Sequence, residues 1–425
     1  MGKRANTEGS IFPYRSGWAA YVWVTTPGGE RRRKYVYGRT REQVHEKWLK
    51  LQTQARERPV PTTTPTVAEY LARWLAEVVE PNLAPATSAY YENLIRLYML
   101  PGVGARRLDR LSPREVQTWL NQITTTCQCC AQGKDARRPE DKRRCRTIGK
   151  CCGNYPSRRT AQAARNLLRE ALNHAKDMDE LLARNVAAMA KTPSPRSRKG
   201  AAWTVEEARR FLESARAASD PLYAAYVLIL VLGLRRGEAL GLEWADIDMD
   251  ASELHVRQQL QRVRGRLMLR ETKTETSEAP LPLHGICVSA LQLRHAQQAA
   301  ARDAAAGLWH ETGLMLTTRW GTPIEPRNFN RSFAARIRAA GVRAITPHDA
   351  RRTCGSLLAA LDVHPRVAMR ILRHSRFSLT MEIYTIVPSK ETREALRRLG
   401  EYLHGESGSD THRPRDAGDG NDAAD

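Results

Sequence analysis

Acidic residues are scarce beside basic ones in this chain: 46 Asp and Glu stand against 68 Lys and Arg, a formal net charge of +22 over 425 residues. The imbalance recurs in every segment, so a polyanion is the expected partner. On duplex DNA such charge displaces condensed counterions, giving affinity that is partly nonspecific and steeply salt-dependent. An anionic membrane surface would attract the same charge, but long apolar runs are missing as well. The longest, Leu222 to Leu234, falls short of the roughly 20 residues a bilayer needs and reads as a buried core helix. The N-terminal MGKRANTEGS shows no secretory signal. Cysteine is sparse outside one stretch: of eight, six crowd between Cys127 and Cys152, with no secretory context to pair them. A reducing, cytoplasmic location follows, nucleoid-associated if the polyanion is DNA, with no membrane partner.

What is present suggests two to four domains, since 41% hydrophobic residues spread over 425 positions exceed one core. Residues 1–57 form the first. Gly17 to Tyr37 alternates in the manner of a hairpin, with Tyr21 and Trp23 on one face and Val22 and Val24 on the other. The return strand carries Arg31, Arg32, Arg33 and Lys34, a basic ribbon suited to a DNA major groove. A helix then starts at Thr40, capped with Gln43, and buries Val44, Trp48 and Leu51. Residues 58–65 are a proline-stiffened linker.

Residues 66–190 read as an all-helical domain. Thr66 and Glu69 make a capping box ahead of Val67, Leu71, Trp74, Leu75 and Val78. Further helices are expected over Ala89 to Leu100, from Ser112-Pro113 with Val116, Trp119, Leu120 and Ile123 inward, and around Leu167 to Ala175. A basic insertion, residues 127–152, interrupts it. Residues 191–200 (KTPSPRSRKG) form a second linker, and 201–405 a mainly α domain with short strands at Leu254 to Gln258 and Ala279 to Leu283 and a turn at Arg264-Gly265-Arg266. Residues 406–425 are too poor in apolar side chains to fold and are expected to be disordered.

Four spots in the third domain carry chemistry. The apolar helix ends at Gly233 and Arg235 emerges with Glu238 three residues on; an isolated pair of this kind is usually a structural salt bridge. His348 and Arg351 lie three apart on a helix starting near Pro347 and share a face. Arg373 and His374 precede a helix over Ser378 to Ile383 that delivers Tyr384. Lys273 sits between the turn and the last strand.

The ordered series Arg235, Lys273, His348 with Arg351, His374 and Tyr384 resembles the tyrosine recombinase, or phage integrase, family, and the layout of the whole chain resembles it too. The resemblance implies a multidomain, mainly α protein with small β-sheets: an arm-binding sheet-plus-helix domain, a helical core-binding domain and a catalytic domain of the DNA breaking-rejoining fold. It implies that Arg235 and Arg351 clamp the scissile phosphate, and that Tyr384 attacks it to give a 3′-phosphotyrosine with His348 as base. Lys273 would protonate the leaving 5′-oxygen, His374 would hydrogen-bond the phosphate, and Glu238 would hold the geometry. No cofactor is required for that chemistry. Double-stranded attachment sites, a homotetramer exchanging strands through a Holliday junction, and an accessory directionality factor are the implied partners. The helix Glu391 to Leu399 is expected to pass between protomers. One position departs from the family, which usually has glycine where Arg373 stands: the added cation either touches DNA or crowds the entry to His374. Arg236 and Arg352 are assigned no catalytic role.

In the insertion, Cys127 and Cys130 have the spacing that lets one turn present both sulfurs, and Cys145, Cys151 and Cys152 can supply the other pair of a four-thiolate structural zinc site, free thiols being the alternative. Cys287 and Cys354 read as small buried hydrophobes. Two rival activities share parts of this pattern. A type IB topoisomerase uses similar groups but needs no arm-binding domain, and a noncutting DNA-binding regulator would be indifferent to Tyr384.

Overall fold

The computed structural model describes residues 11–26, 29–57, 60, 62–143, 145, 151–194, 200–272, 280–373, 378 and 380–381. The chain divides into two compact units, Met1–Arg198 and Lys199–Asp425.

The first unit opens with an antiparallel three-stranded sheet, β1 (Phe12–Tyr14), β2 (Gly17–Thr25) and β3 (Arg31–Gly38), in which β2 is central. Alternation puts Ala20, Val22 and Val24 on one face, and there α1 (Arg41–Glu57) covers them with Val44, Trp48 and Leu51. Trp48 fixes the packing by donating its indole N–H to the Tyr21 carbonyl at 3.1 Å. The cap differs in detail from the expected box. Thr40 Oγ1 accepts the Gln43 amide at 3.3 Å, but the Gln43 side chain accepts from Arg39, at 3.2 Å, and not from Thr40. The short β1 had no alternation long enough to be read in the sequence.

The helical part has its own apolar cluster. It begins with α2 (Val67–Trp74), closed by the Thr66–Glu69 capping box, and passes through a π turn at Leu75–Val79 into α3 (Glu80–Asn82). Next, α4 (Pro85–Leu94) passes through a second π turn at Ile95–Met99 into α5 (Leu100–Val103). Each π turn precedes a proline, Pro81 or Pro101. Proline has no N–H and its ring collides with the carbonyl four residues back, so widening that turn lets the helix continue. The expected Ala89–Leu100 helix is therefore longer at its start and interrupted at its end. Then α6 (Pro113–Thr125) buries Val116, Trp119, Leu120 and Ile123, and a one-turn α7 (Gln128–Ala131) opens the insertion. The long α8 (Arg158–Asp177) and short α9 (Val186–Met189) complete the bundle.

In the second unit α10 (Val205–Ala217) and α11 (Tyr223–Val231) lead into α12 (Arg236–Gly241). The apolar run is indeed a core helix: Tyr223 to Leu230 are all buried, each large apolar side chain contributing roughly 1.5–3 kcal/mol. Short strands β4 (Ile247–Asp248), β5 (Glu253–Leu254) and β8 (Leu281–Pro282) form one sheet, and β6 (Gln258–Val263) with β7 (Arg266–Glu271) a hairpin. The expected strand Leu254–Gln258 is thus split between two sheets. His255 donates its amide to Asp246 and Arg257 accepts from Thr272, both at 2.8 Å, which carries the chain from one sheet to the other. The turn at Arg264 and Gly265, both at positive φ, closes the hairpin. Helices α13 (Gly285–Ala305), α14 (Pro326–Ala340) and α15 (Pro347–Ala360) pack around α11 in a core that includes Phe211, Phe329 and Phe333, and α16 (Pro365–Leu372) packs on α15 through Leu372 and Cys354. Cys287 and Cys354 are buried in α13 and α15 as expected. Of the expected helix Ser378–Ile383, Ser378, Thr380 and Met381 are helical; its other positions and the helix Glu391–Leu399 lie outside the described residues. Among the described residues no helix is long and apolar enough to cross a membrane.

Candidate active site and nucleic-acid interface

The site begins where α11 stops. Gly233 adopts φ +61, open to glycine without a Cβ penalty, and a Cβ there would stand 2.6 Å from Leu372. The turn places Arg235 at the N-cap of α12 and Glu238 in its first turn. Glu238, only 1% exposed, is the hub of the site. Its carboxylate accepts the Arg235 amide at 2.8 Å, Arg235 Nη1 at 2.5 Å and Arg373 Nη2 at 2.5 Å, with Arg351 Nη1 4.0 Å away. Burial alone would raise the Glu238 pKa, but the charges of Arg373 and Arg235 and the Arg235 hydrogen bonds outweigh it and hold the carboxyl below the usual range.

Arg351 comes from α15 and is also buried. It donates Nη1 to the Gly233 carbonyl and Nη2 to the Leu372 carbonyl, tying the ends of α11 and α16 together. Burial and then the nearby Arg235 charge push its guanidinium down to about 9, which leaves it cationic at neutral pH. Arg235 is the more open of the two, with its side chain 45% exposed, and its Nη2 reaches the Arg373 carbonyl at 3.3 Å. Segments around residues 235, 351 and 373, far apart in sequence, therefore meet at one carboxylate. His348 lies exposed in the first turn of α15, so it and Arg351 sit at different depths on their helix. Lys273, His374 and Tyr384 lie outside the described residues.

Arg373 has a place that sequence reasoning missed. It caps α16 in the left-handed conformation (φ +49, ψ +50), the position where glycine ordinarily ends a helix. That is the physical reason for a glycine preference here. The side chain does not reach outward: it is 3% exposed and turned onto Glu238, while Nε and Nη1 meet no acceptor among the described residues, and the entry to His374 lies outside those residues. The legible signal was an apolar helix, Ile371-Leu372, ending without a glycine. Arg236 donates to Asn330 Oδ1 at 3.0 Å, a structural contact.

On the first unit's sheet the four basic residues divide. Register sets Arg33 opposite Trp23 and Arg31 opposite Thr25, on the face that carries Tyr21, Tyr35 and Tyr37. Arg33 stacks on Tyr21 and Trp23 at 4.9 and 4.8 Å, and Arg31 on Trp23 at 5.5 Å. Tyr14, Trp23, Tyr35 and Tyr37 are exposed, so this is an open aromatic and cationic surface. Arg32 and Lys34 alternate to the other face. Arg32 pairs with Glu30 at 2.7 Å, and Lys34 is half-buried, its pKa lowered by burial and by Arg107 against the pull of Asp109.

The insertion gathers its cysteines into one cluster. The sulfurs of Cys127, Cys130 and Cys145 lie within 4.8 Å of one another, as do those of Cys129, Cys145 and Cys152, and either group could hold a metal ion. Cys151 stands 3.7 Å from Cys130. Cys129 was not nominated by spacing; the single turn of α7 brings it in.

Two family profiles match the chain: that of the Phage integrase family over residues 202–391, and that of the phage integrase N-terminal SAM-like domain over residues 66–123. The chain is 25% identical over 395 residues to a tyrosine recombinase XerC-like protein of Caldanaerobacter subterraneus subsp. tengcongensis, spanning 88% of this chain and 93% of that one. To an integrase of Streptomyces ambofaciens it is 27% identical over 379 residues, spanning 85% and 88%. Its fold is similar to that of the Tn1549 transposon integrase solved with circular intermediate DNA, at a TM-score of 0.61 and 18% identity over 79% of this chain and 100% of that chain. The mostly helical fold and the matched domains define a DNA strand-transferring enzyme. The chain belongs to the phage integrase family: it is a tyrosine recombinase, and its activity is site-specific recombination. Enzymes of this family need no cofactor for catalysis.

Proposed function

We propose that this recombinase integrates or excises a mobile element by cleaving attachment-site DNA with Tyr384. The observation that carries the reading is the convergence of Arg235, Arg351 and the end of α16 on Glu238, because α16 leads directly to His374 and Tyr384. Two guanidiniums gathered at the end of α16 supply the charge that a phosphorane transition state requires. Arg235 is the group open to a phosphate oxygen. Arg351 reaches one by exchanging a backbone carbonyl for it, so phosphate binding and the spacing of α11 and α16 are coupled. The tyrosine oxygen attacks phosphorus with His348 as base, a 3′-phosphotyrosine forms, and Lys273 delivers a proton to the 5′-oxygen that leaves. Attack by a 5′-hydroxyl of the partner strand reverses the step, so bond energy is conserved and no nucleotide is consumed. His374 hydrogen-bonds the phosphate, and Glu238 keeps both arginines in place.

Residues 1–57 form the arm-site domain, binding through the Arg31 and Arg33 face; 66–190 grip the core site; 201–405 perform the chemistry. Four protomers assemble on two duplexes and exchange strands in pairs through a Holliday junction, with direction set by an accessory factor, in the cytoplasm at the nucleoid. Structural zinc on the insertion's thiolates pins a loop that otherwise lacks a core and aims its arginines at DNA. The test is trapping on a duplex of the element's own attachment DNA carrying a 5′-bridging phosphorothiolate. Wild type is expected to form an SDS-resistant adduct that maps to Tyr384, and Tyr384→Phe none. Tight binding without an adduct on that DNA would make the protein a noncutting DNA-binding regulator.

A further inference from the structure

The insertion contains more sulfur than one ion uses. A tetrahedral zinc takes four thiolates at about 2.3 Å, so neighbouring sulfurs around it lie roughly 3.8 Å apart. Cys127 and Cys152 are separated by 3.6 Å and Cys130 and Cys151 by 3.7 Å, near that edge and far beyond the roughly 2.05 Å of a disulfide. All six cysteines are free thiols. A single ion would leave two of them in the cluster without a task.

The contacts sort the sulfurs into two sets. Cys127, Cys130 and Cys145 form one group of three, with Cys151 beside Cys130. Cys129, Cys145 and Cys152 form the other, with Cys127 of the first group beside Cys152. Cys145 belongs to both, and Cys127 stands next to a sulfur of each. The six sulfurs therefore fall into two groups that meet at Cys145 and again where Cys127 approaches Cys152.

Deepening the structural-zinc reading above, on which this rests, we propose that the insertion binds two zinc ions in one cluster, with Cys127 and Cys145 bridging them, Cys130 and Cys151 terminal on one ion and Cys129 and Cys152 terminal on the other. Coordination releases six thiol protons, and six thiolates around two dications leave two negative charges. The segment is built to receive them: Lys134, Arg137, Arg138, Lys142 and Arg143 surround the cluster in sequence. The backbone already holds the bridging position. The buried Asp135 carboxylate accepts the Cys145 amide at 2.9 Å, and Cys145 Sγ accepts the Cys152 amide at 3.3 Å. Among the described residues from 127 to 157 the only buried hydrophobic side chains are Cys127 and Cys129, so there is no apolar core for the ions to supplement. The metal cluster is the core, and Gln128, whose amide donates to the Asn154 carbonyl at 2.9 Å, closes the loop over it.

The experiment is elemental analysis of the full chain, purified reduced and without chelator, with protein measured by amino-acid analysis. Two zinc ions per chain are expected. One per chain overturns the shared cluster while leaving a single four-thiolate site; none overturns zinc altogether. Cys129→Ser and Cys151→Ser, each terminal on a different ion, should each retain about one zinc, whereas Cys145→Ser should lose both. Should those variants fail to fold, cadmium-113 loaded wild type decides the matter: two thiolate-ligated resonances coupled through shared sulfur are expected, and a single resonance overturns the proposal. The Tyr384 adduct is scored separately, so failure here and failure of the recombinase reading are distinguishable.

Discussion

Arginine serves this chain in two opposite ways. In the second unit Arg351 and Arg373 are buried, with Arg235 at the margin, and all three are organised by Glu238. On the first unit's sheet Arg31 and Arg33 lie over aromatic rings on an open face, with no carboxylate paired to them among the described residues. Low dielectric makes the first arrangement strong and intolerant of change. Solvent makes the second weak, adaptable and sensitive to salt. In the proposed function the difference answers to two tasks: holding a reacting phosphate in one geometry, and searching for and gripping long DNA.

The largest effect that can break this contrast is loss of the hub. Removing one partner of a buried ion pair costs about 3–5 kcal/mol because the others stay buried and uncompensated. Glu238→Gln is expected to lower the stability of the second unit by that order and to abolish the Tyr384 adduct, read by denaturant titration and by trapping. A loss under about 1 kcal/mol would mean that the arginines are held by carbonyls alone. The sign with pH follows from the depressed carboxyl. A folded value below the unfolded one, about 4.3, gives stabilisation that is complete above the unfolded value and lost as pH falls through the folded value. The wild type and Glu238→Gln curves should therefore stay apart from neutral pH to about 5 and converge in more acid solution.

A smaller effect separates the two roles of Arg373. Its left-handed backbone costs a residue with a Cβ about 1–2 kcal/mol relative to glycine, while its side chain returns an ion pair to Glu238. Arg373→Ala and Arg373→Gly both lose the pair, but only glycine relieves the backbone. Thermal unfolding should show the glycine variant the more stable by about 1 kcal/mol. Equal stabilities would mean that the cap leaves the left-handed region once the arginine is gone.

These positions also show what a sequence can and cannot disclose. The capping box at Thr66, the helix starts at Ser112-Pro113 and near Pro347, and the stripe Val116, Trp119, Leu120 and Ile123 are local, and each was legible because its pattern depends on neighbours within a turn or two. Arg235, Glu238 and Arg351 were legible as motifs, yet their meeting was not. It depends on α11 and α16 closing through Gly233 and Leu372, a contact between segments more than a hundred residues apart. The π turns before Pro81 and Pro101 were missed because periodicity assumes a regular helix. Cys129 was missed because the two-residue gap singles out Cys127 and Cys130, whereas its own place in the cluster comes from the turn of α7 and from Cys145 and Cys152, distant in sequence.

The smallest predicted effect tests the open end of the contrast on a single strand. Arg32 and Arg33 are adjacent, but alternation gives Arg33 to the aromatic face and turns Arg32 away to Glu30. If Arg33 touches one phosphate of arm-site DNA, Arg33→Ala should reduce the slope of log affinity against log salt by about 0.9. Thermal stability should move by less than about 0.5 kcal/mol, since the side chain is on the surface. Arg32→Ala should leave the slope unchanged, because its cation is already paired and points to the other face. Equal slope losses in the two variants would show that DNA meets the edge of the ribbon and not its aromatic face, and Trp23→Ala would then leave binding intact.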